Sequence, residues 1–478
     1  MYLGIDLGTS GVKVLLIGED QSILGEARAH LSVQRPHSGW SEQMPSDWLK
    51  GIDDAMIALK ASNNLSGVKA IGLSGHMHGA TLIDKAGDVL RPCILWNDTR
   101  SHVQATDMDS NPKFRDISGN IVFPGFTAPK LAWIKDHEPD VFDAVAKVLL
   151  PKDYLRFWLT GEVVSEMSDA AGTSWLDVGA RDWSDDLLSH TGLSRDHMPK
   201  LVEGSAVSAG LSASLASQWG MSAGIPVAGG GGDNAATAVG VGVTKPGSAF
   251  LSLGTSGVIF AATASYAPAP ETAVHTFCHA LPDTWHQMGV ILSCTDALNW
   301  YGTLTGKTAA DLTGALRDVT APGRALFLPY LGGERTPHND ATVRGALIGL
   351  ENETDQTAGT RAVLEGVGFA LRDNLDALAA TGTNVSSLIA VGGGAQSRVW
   401  LETLATILEL PIDIPVSGEF GAAFGAARLG MMAATGDLSL ATAPKTATQI
   451  EPRADLIQDF SAAHDRYKAT YSALRTLS

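Results

Sequence analysis

The stretch GIDLGTSGVKVLLIG, residues 4–18, returns in altered form as SAFLSLGTSGVIFAATA, residues 248–264. Aligned on the shared LGTSGV, Leu7 falls on Leu253 and Gly11 on Gly257. In each copy an apolar run enters Gly-Thr-Ser-Gly and a β-rich run leaves it, which predicts a strand, a tight turn and another strand. A dinucleotide fingerprint or a Walker loop would turn from a strand into a helix, and GxxxxGK[ST] occurs nowhere in the chain. One copy alone is no more than a hairpin turn. Two copies, half a chain apart, predict a duplicated α/β fold with a facing pair of loops. Backbone N–H groups in such turns form anion-binding concavities, and hydroxyls add donors. Gly8, Thr9 and Ser10 on one side and Gly254, Thr255 and Ser256 on the other are therefore expected to grip a polyphosphate.

The copies differ at one telling position, where Asp6 stands against Ser252. A carboxylate beside a phosphate loop repels its ligand unless a cation lies between them, so Asp6 predicts a magnesium site. An Asp that merely bonds its own turn sits inside the turn, not in the apolar strand before it.

Outward from these hairpins the chain alternates strands and helices. Trp48, Leu49, Ile52, Met56 and Leu59 recur at helical spacing over residues 45–60, with Ser46 as the expected N-cap. Strands are expected over 68–74, 80–84 and 388–391, and an amphipathic helix carries Leu456, Phe460, Ala463, Tyr467, Tyr471 and Leu474. The halves divide near residues 243–247, giving an N-terminal domain over 1–244 and a C-terminal domain over 245–478. The length of 478 residues exceeds what one ordinary core holds, which agrees with two domains.

The net charge of −17 argues against nucleic acid as a partner, since that requires a basic footprint. It does not exclude ATP held by backbone amides and magnesium. No apolar run of about 18 residues could span a membrane, and the N-terminus lacks the zones of a signal peptide, so a cytoplasmic protein is expected. Cys93, Cys278 and Cys294 lack metal-ligand spacing and are expected as buried thiols. Composition leaves a homodimer open.

Three more loops stand at predicted strand ends, where α/β folds place their sites. In Gly75-His76-Met77-His78-Gly79 the paired histidines have no companion ligands for a metal, so either polar groups for sugar hydroxyls or a packed loop histidine fits. In AGGGGDN, residues 228–234, glycines allow close backbone approach, and Asp233 can take a proton from an attacking hydroxyl while Asn234 orients a neighbour. Capping of the following helix, expected over 234–241, is the plainer alternative. Gly392, Gly393 and Gly394 leave bare backbone against which adenine and ribose could lie. Trp96-Asn97-Asp98 and Gly332-Gly333-Glu334-Arg335 are polar clusters that line the cleft or form ion pairs and turns.

Together these residues resemble the FGGY sugar-kinase family of glycerol, gluconate, ribulose and xylulose kinases. GFTAPKLAWIKDH, residues 125–137, fits one family signature throughout. The second, over 345–365, departs at Ala358 and Gly359, where a polar and then a large apolar residue are usual, and a looser helix start is expected there. GHMHGATL, LRPCILWNDTR, LLPKDYLR, SDAAGTSWLDV and GERTPHN resemble the bacterial branch that acts on xylulose, and Met77-His78 replaces the Arg-Glu pair of glycerol kinases. The resemblance implies two actin-like, ribonuclease-H-like domains with the active site in the cleft between them. It implies ATP-dependent phosphorylation of a ketopentose, D-xylulose before D-ribulose or L-xylulose. It makes Asp233 the base, Asp6 the acid near magnesium, and Met77, His78, Asn234 and Trp96 the sugar contacts. The loops at 254–256 and 392–394 then meet phosphate and adenosine. An actin- or chaperone-like ATPase shares the loops but lacks the sugar residues.

Overall fold

The computed structural model describes residues 1–416 and 420–475, and in it both repeated phrases are hairpins. Strand β1 (Tyr2–Leu7) runs antiparallel to β2 (Gly11–Ile17), which runs antiparallel to β3 (Ile23–His30). On the other side of β1, β4 (Ile71–Gly75) lies parallel to it, and β5 (Pro226–Ala228) lies parallel to β4. The second half repeats this order and direction. Strand β6 (Ala249–Leu253) pairs antiparallel with β7 (Gly257–Thr263), β7 pairs antiparallel with β8 (Trp285–Ile291), β6 lies parallel to β9 (Leu388–Val391), and β9 lies parallel to β10 (Ile412–Pro415). The duplication inferred from LGTSGV thus extends to five strands in each sheet.

Burial explains the strand sequences. The central strand β1 is covered on both faces and reads as an almost unbroken apolar run, whereas β3 alternates exposed with part-buried residues. Beneath the first sheet Leu3, Ile5, Leu73, Trp48 and Ile52 share one core. Leu251, Ile259, Leu364, Trp400 and Leu404 belong to the core of the second. Each such side chain contributes about 1.5–3 kcal/mol on burial. The halves meet along the helix Ala422–Thr435, which packs on β1, β4 and the helix Asp233–Gly240. Backbone touches backbone there. A Cβ at Gly4 would collide with the carbonyl of Ala423, one at Gly72 with that of Ala426, and one at Gly425 with that of Ala236. Arg428, buried on the same helix, donates to the carbonyls of Val239, Gly240 and Thr442 at 2.9, 3.0 and 2.8 Å.

Several local expectations shift. The first helix spans Pro45–Ser62, with Met44 rather than Ser46 at the N-cap. Pro45 fits the first helical position, where its missing N–H costs nothing, and so moves Ser46 inside the helix. The expected strand at 68–74 begins only at Ile71, because the turn Leu65–Gly67 takes the N–H of Val68. The strand expected at 80–84 is Thr81–Ile83, and the last helix is Ile457–Leu474. The helix expected to start loosely near Ala358 instead starts at Gln356, with the Asp355 side chain accepting from Ala358 N at 2.8 Å. The Tyr301 hydroxyl occupies the space a side chain at Gly359 would need, so the missing apolar group is replaced from a neighbouring helix. The three cysteines are buried and free. Among the described residues no helix is long and apolar enough to cross a membrane.

Candidate active site

Asp6 is the one residue of β1 whose side chain is not apolar apart from Tyr2, and it stands beside Ser74 on β4 and Lys13 on β2. Its Oδ1 is out of reach of solvent and has no hydrogen-bond partner. Burial raises its pKa, tempered by Ser74 and Lys13. An unpartnered carboxylate oxygen at the end of a strand, with a second carboxylate nearby, suits a hard divalent cation.

The loop after β4 places its two histidines in different surroundings, where spacing alone left both open and the resemblance singled out His78. His76 is the packed one: it is buried edge-on to Trp48, and neither ring nitrogen has a partner. His78 holds a left-handed backbone, φ 69°, and stacks on Phe126 with centroids 4.6 Å apart. Its Nδ1 lies 2.7 Å from the carbonyl of Gly172. A carbonyl only accepts, so Nδ1 carries the proton, and Nε2 is left as an acceptor. Burial and the charge of Lys130 push its pKa down to about 3, so the ring is neutral at physiological pH. Met77 is buried against Gly232, where a Cβ would approach its Sδ to 2.9 Å.

Gly231 and Gly232 pair with Ser74 and Gly75, which brings the AGGGGDN loop alongside the end of β4. The glycines serve protein packing: Cβ atoms at 229, 230 and 232 would meet Glu203, Leu73 and Met77. Asp233 opens the helix Asp233–Gly240 one residue earlier than expected, and Gly232 holds the cap position. Asp233 therefore caps nothing in the ordinary sense. Its Oδ1 accepts from its own neighbour, Asn234 N at 2.7 Å and Nδ2 at 3.1 Å. Burial first, and then the charge of Asp6, raise its pKa to about 6. Asp6, Asp233, Asn234, Met77 and His78 thus come together at the ends of β1 and β4.

Trp96 is 46% exposed, and its Nε1 donates to Thr9 Oγ1 at 3.0 Å, tying it to the first Gly-Thr-Ser-Gly turn. In the second half the carbonyl of Gly254 accepts from Thr295 N and Oγ1 at 2.9 and 2.8 Å, and that of Thr255 accepts from Cys294 N at 2.8 Å. Gly392 has φ 91° and crosses the backbone of Leu253, which requires glycine on both counts. Gly393 and Gly394 then line a cleft of about 590 Å³ together with Thr295, Leu298, Arg398 and Trp400. Its mixed apolar and polar wall suits a flat base with a ribose.

Some supporting residues escaped the sequence reading. Lys130, fully buried, donates to the carbonyls of His78 and Gly125, each at 2.7 Å. Under the AGGGGDN loop, Lys152, Asp153, Arg156, Glu166 and Asp169 form a charge network from which solvent is wholly excluded. Arg156 donates to the carbonyl of Gly229, and Gly232 N donates to Ser168 Oγ. Five charged residues spread over the helix Pro151–Thr160 and the strand and turn that follow it give no sign in the sequence of being interior. Asp98 pairs with Arg100 at 2.7 Å, the plainer of the two expectations for that cluster. Glu334 accepts from Leu292 N and Arg335 N at 3.0 and 2.7 Å, while Arg335 lies 4.6 Å over the ring of Phe123.

Residues 1–240 match the N-terminal domain of the FGGY family of carbohydrate kinases, and residues 249–434 match its C-terminal domain. The chain is 50% identical over 443 residues to the xylulose kinase of Escherichia coli K12, covering 92% of this chain and 91% of that one. It is 35% identical to the xylulose kinase of Bacillus subtilis, covering 100% and 97%. The crystal structure of a xyloylose kinase from Brucella ovis, 58% identical, superimposes over 100% of both chains with a TM-score of 0.98. With both halves matched and half of the residues shared over most of the length, the chain belongs to the FGGY family of carbohydrate kinases.

Proposed function

We propose that the protein transfers the γ-phosphoryl group of ATP to the primary hydroxyl, O5, of D-xylulose, giving D-xylulose 5-phosphate. The observation that carries the reading is the meeting of Asp233 with the Met77–His78 loop, in a chain half identical to a xylulose kinase over most of its length. A base that must take a hydroxyl proton works best with a pKa near the working pH, and Asp233 is raised toward it. Asn234 fixes one oxygen of that carboxylate, leaving the other to face the acceptor. His78, held neutral with Nδ1 engaged, offers Nε2 to a sugar hydroxyl. Trp96 closes the pocket from the side of Thr9.

In this reading residues 1–244 bind the sugar and hold the base, and residues 245–478 bind the nucleotide. Gly392–Gly394 and the 590 Å³ cleft take adenosine, and the turns at 8–10 and 254–256 take the phosphates. Asp6 would hold a magnesium ion, which would supply positive charge against that developing on the transferred phosphoryl oxygens. Closure of the halves excludes water, the competing acceptor.

The test is a coupled ADP-release screen of the purified protein over ketoses and polyols, with and without magnesium. The expected result is the highest kcat/KM with D-xylulose and none without magnesium. A higher value with D-ribulose, L-xylulose or glycerol moves the substrate within the family. ADP release unaffected by any sugar overturns the kinase reading in favour of a bare ATPase.

A further inference from the structure

We infer that Lys130 is a positioning residue for the sugar pocket, an internal staple that joins its two walls and holds His78 in its strained backbone conformation; this rests on the functional reading above. The two hydrogen bonds of the ammonium reach different walls. One goes to the carbonyl of His78, whose ring faces the proposed sugar. The other goes to the carbonyl of Gly125, whose backbone presses on the carbonyl of Trp96 so closely that a Cβ could not fit. The same nitrogen thus ties together the loop that carries His78 and the loop that carries Trp96.

The conformation it holds is one that relaxes when released. His78 sits at φ 69°, a left-handed region that a side chain with a Cβ adopts only when its surroundings over-determine it. Three contacts do so: Lys130 and the Thr127 hydroxyl, at 2.7 and 3.2 Å, on its carbonyl, and Gly172 on its ring. Thr127 and Lys130 lie on the first turn of the helix Thr127–His137, so a rigid element supplies both donors.

Lys130 is also a poor choice for stability. It is fully buried, and among the described residues no carboxylate lies within ion-pair distance of it. Burial pulls its pKa down to about 7. A buried ammonium held by two carbonyls, with Asp98 attracting it only from beyond ion-pair distance, is costly, and an apolar side chain of similar length would fill the space without burying a charge. Its charge adds to the burial that lowers the pKa of both His76 and His78. A group that costs stability and organises a site acts for function.

Lys130→Met and Thr127→Val, each close to its parent in shape, separate the outcomes. For Lys130→Met the expected result is a rise in sugar KM of roughly 5- to 150-fold, the range for stranding a buried acceptor, with ATP KM within about twofold of wild type by the same principle. The melting temperature is expected to stay close to that of wild type, because removing the buried ammonium offsets stranding the carbonyls of His78 and Gly125. Thr127→Val, which leaves the ammonium in place, is expected to raise sugar KM by roughly 2- to 10-fold. Unchanged sugar KM in both variants overturns the staple, as does a parallel rise of sugar and ATP KM with a fall in melting temperature, which marks a merely structural lysine. Wild-type protein that shows no sugar-dependent ADP release refutes the functional reading instead, and the two failures are therefore distinct.

Discussion

Replacing Asp233 by Asn removes one proton-accepting oxygen and almost nothing else. The contacts at Oδ1, from Asn234 N at 2.7 Å and Nδ2 at 3.1 Å, can be kept by the amide oxygen. If Asp233 is the base, kcat falls by about 10²–10⁴, while ATP and D-xylulose still bind. The structure adds a second, opposite effect. Burial and Asp6 raise the pKa of Asp233 from 3.8 to about 6. A carboxylate whose folded pKa is raised costs nothing below its unfolded value, and stability is lost as pH climbs from about 4 through 6. That rise corresponds to roughly 3 kcal/mol at pH 7. Asp233→Asn escapes that cost and relieves Asp6 of a like charge, so its melting temperature should exceed that of wild type at pH 7.5. The difference should vanish near pH 4. In the wild type, kcat/KM should fall as pH drops through about 6, where the base takes up a proton. Coupled ADP release, sugar calorimetry and thermal melts at the two pH values make the comparison. A variant that keeps kcat within tenfold of wild type would remove Asp233 from the mechanism, and one destabilised at pH 7.5 would refute the electrostatic argument.

Asp6→Ala should abolish most turnover and weaken magnesium-dependent nucleotide binding while sparing sugar affinity. Titration of nucleotide with and without magnesium checks it, and unchanged magnesium dependence would reduce Asp6 to a strand residue. His78→Ala, which removes the Nε2 acceptor and the stack on Phe126, should cost kcat/KM for sugar roughly 5- to 150-fold and leave ATP KM unaltered in steady-state assays. Gly359→Leu, which restores the usual apolar residue, should collide with Tyr301 and destabilise by about 1–3 kcal/mol, as overpacking does. Melts should show the loss and kinetics should not.

The parts of this molecule legible in its sequence are those encoded over a few residues. LGTSGV gives each hairpin because strand, turn and strand lie within one short window, and the Asp6/Ser252 difference is visible once the copies are aligned. Asp233 stands out through its glycines, although their reason proved to be contacts with Glu203, Leu73 and Met77. What stayed hidden depends on distant partners. Lys130 meets a carbonyl 52 positions away, and nothing in a lysine between Pro129 and Leu131 announces an interior role. The two histidines of one pentapeptide part company only because Trp48 covers one and Gly172 binds the other. Gly359 looked like a defect because Tyr301, which fills its space, lies 58 positions earlier.

The bare-backbone seam between the halves reverses the usual ranking of substitutions. Alanine in place of a helical glycine is ordinarily among the safest ways to stabilise a protein, worth about 0.4–1 kcal/mol. Gly425 and Gly430 lie inside the helix Ala422–Thr435 and invite that repair. Yet one methyl group at 425 would enter the carbonyl of Ala236, and one at 430 would come within 2.7 Å of Gly72 N. Both wedges would push on elements that end at the chemistry: the helix whose first residue is Asp233, and the strand that leads to His78. Directed evolution for heat resistance should therefore find this helix closed to its cheapest remedy, and an inactivating lesion here can be as small as three hydrogens and a carbon.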